Sequence, residues 1–306
     1  MVQPALHSVR TPSLSISYES VNDDAETTVV LLHGFPYDVR AYDEVVPILA
    51  KRGLRVIVPY LRGFGQTRFA SSAIVRSGQQ AALAQDLIDL LDALGIEKAV
   101  VAGYDWGGRA ACIASALFPE RIIGLVSVDG YNIQNIASAH QPAPPEEEAT
   151  YWYQYYFQTQ RGRYGLEQNR DELCQLLWRN WSPTWEQAET AFLRTSPSLH
   201  NPDFVDVVIH SYRHRYGAAD GDPHYQELED RLLTQPQITV PTIVLDCAAD
   251  GVGVSYAEAD SAKFEGPYEF RTLDGIGHNA PQESPNDFAR AALDVLDMAR
   301  IHASED

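Results

Sequence analysis

The sequence predicts an α/β fold: a mostly parallel central sheet with helices on both faces and a helical cap inserted late in the chain. Three observations carry this. Short apolar runs alternate with segments of helical period as far as Val128, the rhythm of an open parallel sheet. That rhythm breaks around Tyr131 and returns only at Pro241. Between these points, from Thr150 to about Leu233, the chain is aromatic-rich and helical in period, with no clear strand.

In chain order, the alternation of Leu14 to Tyr18 marks an early strand, and the apolar run Thr28 to Leu32 marks another that ends at His33-Gly34. Ala41 to Arg52 has helical spacing and stops at Gly53, and Arg55 to Pro59 is the next strand. Gln79 to Leu94 is an amphipathic helix closed by Gly95. Ala99 to Ala102 reads as a buried parallel strand, and Arg109 to Leu117, rich in small residues, as the helix that follows. Ile122 to Val128 is a further strand reaching Asp129. Gln141 to Glu148, with its prolines, reads as an extended surface connection. The sheet pattern resumes at Pro241 to Leu245 and Tyr268 to Leu273, and Asn286 to Arg300 closes the chain as an amphipathic helix. The expected division is a core of 1–132 and 235–306 carrying a cap of 133–234.

A chain of 306 residues, 45% hydrophobic and 21% charged, fits an ordinary soluble globule with a substantial interior. Its 42 acidic against 23 basic residues give a net charge of −19, which repels phosphate backbones and anionic lipid. Nucleic-acid and membrane partners are therefore not expected. An anionic substrate is weakly disfavoured, unless a local basic pocket overrides the global field. Met1 to Ser20 has no apolar leader segment, and no apolar run is long enough to span a bilayer, so a cytoplasmic location is expected. Cys112, Cys174 and Cys247 are an odd, scattered set without paired spacing, which argues for buried thiols rather than a disulfide framework or zinc site. No metal or cofactor is expected, and the assembly is left open, with a homodimer as the oligomer considered.

The most informative segment is Gly103-Tyr104-Asp105-Trp106-Gly107-Gly108, a Gly-X-nucleophile-X-Gly turn with an acid where most enzymes of this pattern carry serine. A serine there makes acyl-enzymes. A carboxylate instead attacks saturated carbon and becomes an alkyl ester of the protein, so the electrophile is an epoxide or alkyl halide. Asp105 is expected on the sharp bend between strand and helix, exposed at the sheet's carboxyl edge beside the first helical N–H groups.

Hydrolysing the ester requires a second group to activate water, and histidine suits that task near neutral pH. Nine histidines occur, but His278 stands just past a late strand in the Gly-rich turn Gly275-Ile276-Gly277-His278. Asp250, in the loop after the strand at Thr242 to Leu245, is the favoured acid to orient it; Asp129 and Asp246 compete. His33-Gly34-Phe35-Pro36 follows an early strand, so the Phe35 and Trp106 N–H groups are the expected oxyanion hole for the hydrolytic half-reaction. His33, Pro36 and Trp152 are expected to line the substrate pocket.

Together these residues resemble the α/β-hydrolase superfamily, and the Asp turn narrows the resemblance to the epoxide hydrolase and haloalkane dehalogenase branch. His33-Gly34-Phe35-Pro36, Arg62-Gly63-Phe64-Gly65, the Asp105 turn and Gly277-His278 look like soluble epoxide hydrolases over almost the whole chain. The resemblance implies two cap tyrosines that assist ring opening. Tyr153, within Tyr153-Gln154-Tyr155-Tyr156, and Tyr212, within Ser211-Tyr212-Arg213, fall in the segments similar to theirs. It implies an epoxide hydrolase that forms a vicinal diol without a cofactor. The alternatives are a hydrolytic dehalogenase using the same Asp105, Asp250 and His278, and a noncatalytic ligand-binding relative. Trp106, with an indole N–H beside the nucleophile, pulls toward dehalogenation; Phe35 stands where many haloalkane dehalogenases carry a halide-binding Asn and pulls away. Arg109 falls where the similar fluoroacetate dehalogenases hold one of two carboxylate-binding arginines, but the second would replace Trp106. A single arginine there could equally face the core helix interface or pair with a carboxylate, and because an arginine on a helix is ordinarily solvated or ion-paired, a site role is not expected of Arg109.

Overall fold

A computed structural model describes residues 4–252 and 258–304. Its described residues form one sheet in the order β1-β2-β4-β3-β6-β7-β8-β9, with β5 paired to β2. The strands are β1 Ala5–Arg10, β2 Leu14–Val21, β3 Thr28–Leu32, β4 Arg55–Pro59, β5 Arg68–Phe69, β6 Ala99–Gly103, β7 Ile122–Val128, β8 Thr242–Cys247 and β9 Tyr268–Leu273. From β4 to β9 every pair along the sheet is parallel, whereas β1, β2 and β5 join antiparallel. β3 and β6 are buried along their whole length, which is why both read as unbroken apolar runs. β1 escaped prediction for the opposite reason: it is a largely exposed edge strand with no buried face to impose alternation.

Helices cover both faces. α1 Val45–Ala50 packs on α12 Pro285–His302, which crosses β6, β7 and β8; α2 Gln80–Ala93 packs on α3 Asp105–Leu117, which lies against β3, β6 and β7. The single helix expected at 41–52 is instead a 3-10 turn, Val39–Tyr42, followed by α1. Pro47 explains the break, because its ring would collide with the carbonyl of Asp43 if the helix continued backward.

Between β7 and β8 the chain forms seven α-helices: α4 Pro145–Thr150, α5 Trp152–Tyr156, α6 Gln160–Gln168, α7 Arg170–Trp181, α8 Ala188–Leu199, α9 Phe204–Arg215 and α10 Gln226–Leu232. α4 corrects part of the extended connection expected at 141–148. Pro145 occupies its first turn with Glu146, Glu147 and Glu148, a helix start signalled by proline and acidic residues together.

This insertion is fastened to the loops that follow the parallel strands. Trp178 Nε1 donates to the Pro36 carbonyl at 3.0 Å, and the main-chain N–H groups of Gly251 and His278 both donate to Trp181 O, at 3.0 and 3.1 Å. Asp38, beyond β3, accepts from Thr195 Oγ1 at 2.8 Å and Ser198 Oγ at 2.5 Å on α8. The helices therefore roof the carboxyl edge of the sheet, where an open parallel sheet places its ligand crevice. α11 Ala280–Glu283 supports that edge from the other side, with Glu283 accepting from Ser182 Oγ and from the Gly277 and Asn279 N–H groups.

Candidate active site

Asp105 is the first residue of α3 and holds φ +51°, a left-handed conformation costly for any side chain but glycine, by about 1–3 kcal/mol. Close packing keeps it there. A Cβ on Gly107 would lie 2.0 Å from the Leu32 carbonyl oxygen, and one on Gly34 would lie 2.5 Å from the Asp105 Cβ. Glycine at both positions lets β3, its following loop and the bend meet. The Phe35 N–H consequently donates to Asp105 Oδ1 at 2.7 Å. The Trp106 N–H makes no hydrogen bond to that carboxylate among the described residues.

The other carboxylate oxygen, Oδ2, faces His278 Nε2 at 3.7 Å, while His278 Nδ1 lies 2.6 Å from Asp250 Oδ2. Burial opposes the imidazolium, but Asp250 and Asp105 outweigh it and hold His278 well above its ordinary pKa. Burial likewise opposes the Asp105 anion, yet His278, Arg109 and the Phe35 N–H leave its carboxyl below the ordinary value. Both directions favour a charged Asp105–His278 pair across the 3.7 Å separation. Asp129 stands behind Asp250, accepting from the Cys247 N–H at 3.3 Å. It is partly buried and borders the cavity; burial first, then the Asp250 charge, raises its carboxyl well above the usual range. A protonated Asp129 can donate to Asp250.

Tyr153 and Tyr212 meet edge to face, with ring centroids 5.3 Å apart. The Tyr153 hydroxyl accepts from Gln154 Nε2 at 2.9 Å, and burial pushes its pKa up to about 12 with partial relief from Arg215. The Tyr212 hydroxyl and the Trp106 indole N–H are buried without a hydrogen-bond partner among the described residues. Burial raises Tyr212 well above its ordinary value, so both phenols keep their protons at neutral pH.

A cavity of about 550 Å³ touches Asp105, His278, Asp250, Tyr153, Arg109 and Arg215. None of His33, Pro36 and Trp152 lines it, which corrects the expected pocket. His33 is fully buried with both ring nitrogens engaged, Nδ1 with Gly34 O at 2.9 Å and Nε2 accepting from the Leu61 N–H at 3.1 Å. Burial pushes its pKa down to about 4, so it is a neutral strut. Pro36 offers its carbonyl to Trp178, and Trp152 is 37% exposed against Tyr153 and Tyr156. No site role was expected of Arg109. It is buried, forms no ion pair among the described residues, and donates only to Asn132 O at 3.4 Å. Arg109 follows Asp105 by four residues and lines the same cavity, which no local sequence pattern signals.

Comparison with known proteins places this geometry in a family. Residues 27–252 match the α/β hydrolase fold family, and the chain belongs to it. The chain is 25% identical to Epoxide hydrolase A of Mycobacterium tuberculosis across 97% of its own length and 98% of that protein. It is 31% identical to Epoxide hydrolase B of the same organism over 47% of this chain and 43% of that one. The crystal structure of a presumed epoxide hydrolase from Klebsiella pneumoniae is similar at a TM-score of 0.94, with 43% identity over 95% of this chain and 97% of that chain.

Proposed function

We propose that the protein is an epoxide hydrolase in which Asp105 is the nucleophile, with residues 133–234 acting as a cap over the core. One observation carries the reading: a carboxylate held at a strained bend with a main-chain N–H on one oxygen and an imidazole facing the other. The names and full-length coverage of the relatives support the epoxide as electrophile.

The protons balance along this route. Asp105 attacks a ring carbon, the C–O bond breaks, and the ring oxygen takes a proton from Tyr153 or Tyr212. Esterification removes the Asp105 charge that held His278 protonated, so the imidazolium returns a proton to the phenolate and becomes a neutral base. His278 then takes a proton from water as the hydroxide adds to the Asp105 carbonyl carbon, with the oxyanion facing the Phe35 and Trp106 N–H groups. Collapse of the adduct expels the diol, which carries away the hydroxyl proton, and restores the ion pair.

Intact-mass analysis of His278→Gln with a panel of epoxides and alkyl halides tests this. The expected result is an adduct equal to one epoxide, mapped to Asp105, because deacylation has lost its base. Absence of any epoxide adduct overturns the reading. The unpartnered Trp106 indole N–H favours one second reading, a hydrolytic dehalogenase with that donor on the leaving halide; adducts from halides alone would establish it. No helix of the described residues is long and apolar enough to cross a membrane. A cytoplasmic location and a homodimer are proposed, the first tested by cell fractionation and the second by light scattering.

A further inference from the structure

We infer that the cavity carries an anion subsite built from Arg109 and Arg215, and that the substrate is an epoxide bearing a carboxylate a few bonds from the ring. This rests on the epoxide reading for the ring but not for the anion. Arg109 is 7% exposed, so its guanidinium has lost most of its water, yet its single protein hydrogen bond is the long one to Asn132 O. Asp105 favours the Arg109 charge without forming an ion pair with it among the described residues, and a buried cation so poorly paired is costly and persists where a ligand completes it. Arg215 reaches the same cavity from α9 and is positioned by neutral groups: Nη1 donates to Gln154 Oε1 at 2.8 Å, and the guanidinium lies 5.0 Å from the centre of the Tyr212 ring.

The two cations repel one another, and burial together with that repulsion brings Arg109 down to about 10. An anion between them removes both penalties. The carboxylates that border the cavity stand at strand ends: Asp105 follows β6, Asp129 follows β7, Asp246 lies at the end of β8 and Asp250 follows it. A second cavity of about 860 Å³ shares Arg109 and Arg215 and adds Lys263. The acids there have local partners: Glu147 Oε1 accepts from Tyr151 Oη, Glu148 Oε1 from the Ala143 N–H, and Asp260 Oδ2 from the Tyr131 N–H. Arg109, Arg215 and Lys263 thus stand in one cavity with Glu147, Glu148 and Asp260, in a chain whose overall charge is −19.

Spacing sets the substrate's dimensions. Arg109 follows Asp105 by four residues, and both line the same cavity of about 550 Å³. A carboxylate held by Arg109 therefore leaves its epoxide carbon at Asp105 only if few bonds separate them. Guanidinium forks pair with carboxylate and phosphate alike; the carboxylate is proposed as the smaller of the two.

The test separates anion binding from chemistry. Cyclopropanecarboxylate, in which a methylene replaces the ring oxygen of an epoxy acid, cannot be opened. Its binding and that of its uncharged amide are measured by calorimetry on the wild type, Arg109→Met, Arg109→Lys and Arg215→Met. The expected result is a preference of about tenfold or more for the acid, collapsing in both Met variants and partly kept by Arg109→Lys. Equal binding of acid and amide, or an unchanged preference in Arg109→Met, overturns the subsite. A tighter fit for the corresponding phosphonate overturns the carboxylate assignment. In parallel, an epoxy acid and its methyl ester are compared by kcat/KM. Retained acid binding with no turnover of either compound sinks the epoxide reading and leaves the anion subsite standing.

Discussion

Two buried arginines show how differently one residue type is used in this molecule. Arg62, in the loop after β4, is 1% exposed and fully engaged: Nε and Nη2 reach Asp86 at 2.6 and 2.7 Å, Nη1 reaches Ser77 O at 2.8 Å, and Nη2 reaches Tyr225 Oη at 3.0 Å. Although burial disfavours its charge, Asp86 more than compensates and raises its pKa. Arg109, nearly as buried, has one long hydrogen bond and a pKa lowered by burial to about 10. The first ties the sheet, α2 and the insertion together. The second is left incomplete by the fold, and the difference separates a structural charge from one kept for a ligand.

The largest expected effect tests the structural member. Arg62→Met leaves Asp86 buried without its partner, and loss of one member of such a pair costs about 3–5 kcal/mol. Urea unfolding measures it. A loss no greater than that of the matching Arg109 variant would break the contrast.

Two acids repeat the comparison, because Asp86 faces a guanidinium whereas Asp129 faces another carboxylate. Burial and Asp250 raise the Asp129 carboxyl, so above about pH 4 the native state holds a proton that the unfolded chain releases, and the contribution of Asp129 to stability falls as pH rises. Asp129→Asn removes this dependence. Relative to the wild type it should gain up to about 1.4 kcal/mol per pH unit until Asp129 itself ionises. Unfolding curves between pH 5 and 7 provide the check, and parallel curves for the two proteins would show Asp129 to be charged.

A smaller change sharpens the role of the ion pair. Asp105→Asn removes an anion that holds His278 protonated, so the imidazole should titrate at lower pH than in the wild type, followed by its NMR shifts. Asp250 remains and still favours the charged form. An unaltered titration would mean that esterifying Asp105 does not free His278 as a base.

Much of this was legible because it is written in local pattern. Continuous apolar runs disclosed β3 and β6, and the glycines around Asp105 disclosed the bend, since close approach of β3 tolerates no side chain at Gly107. The exposed edge β1 and the two-residue β5 bury too little to leave a pattern. The pocket was less legible, because its walls come from contacts distant in sequence. His33 sits in a conspicuous motif yet faces inward to Leu61, while Arg215 reaches the site from α9 with no local signature. A site role was not expected of Arg109, because a helical arginine is ordinarily solvated or ion-paired and no local pattern shows that this one borders the cavity.

The smallest expected effect is the one that most directly divides the two arginines. Arg109→Met removes a desolvated charge and keeps a side chain of similar reach, so folding no longer bears the cost of burying an uncompensated guanidinium. Against this stands the favourable interaction of Arg109 with the Asp105 anion. The balance should fall between no change and a gain of about 1 kcal/mol in unfolding free energy. The same measurement with cyclopropanecarboxylate present should reverse the order, because only the wild type gains from binding the anion in its native state. A destabilised Arg109→Met protein without ligand would place Arg109 beside Arg62 among the structural charges.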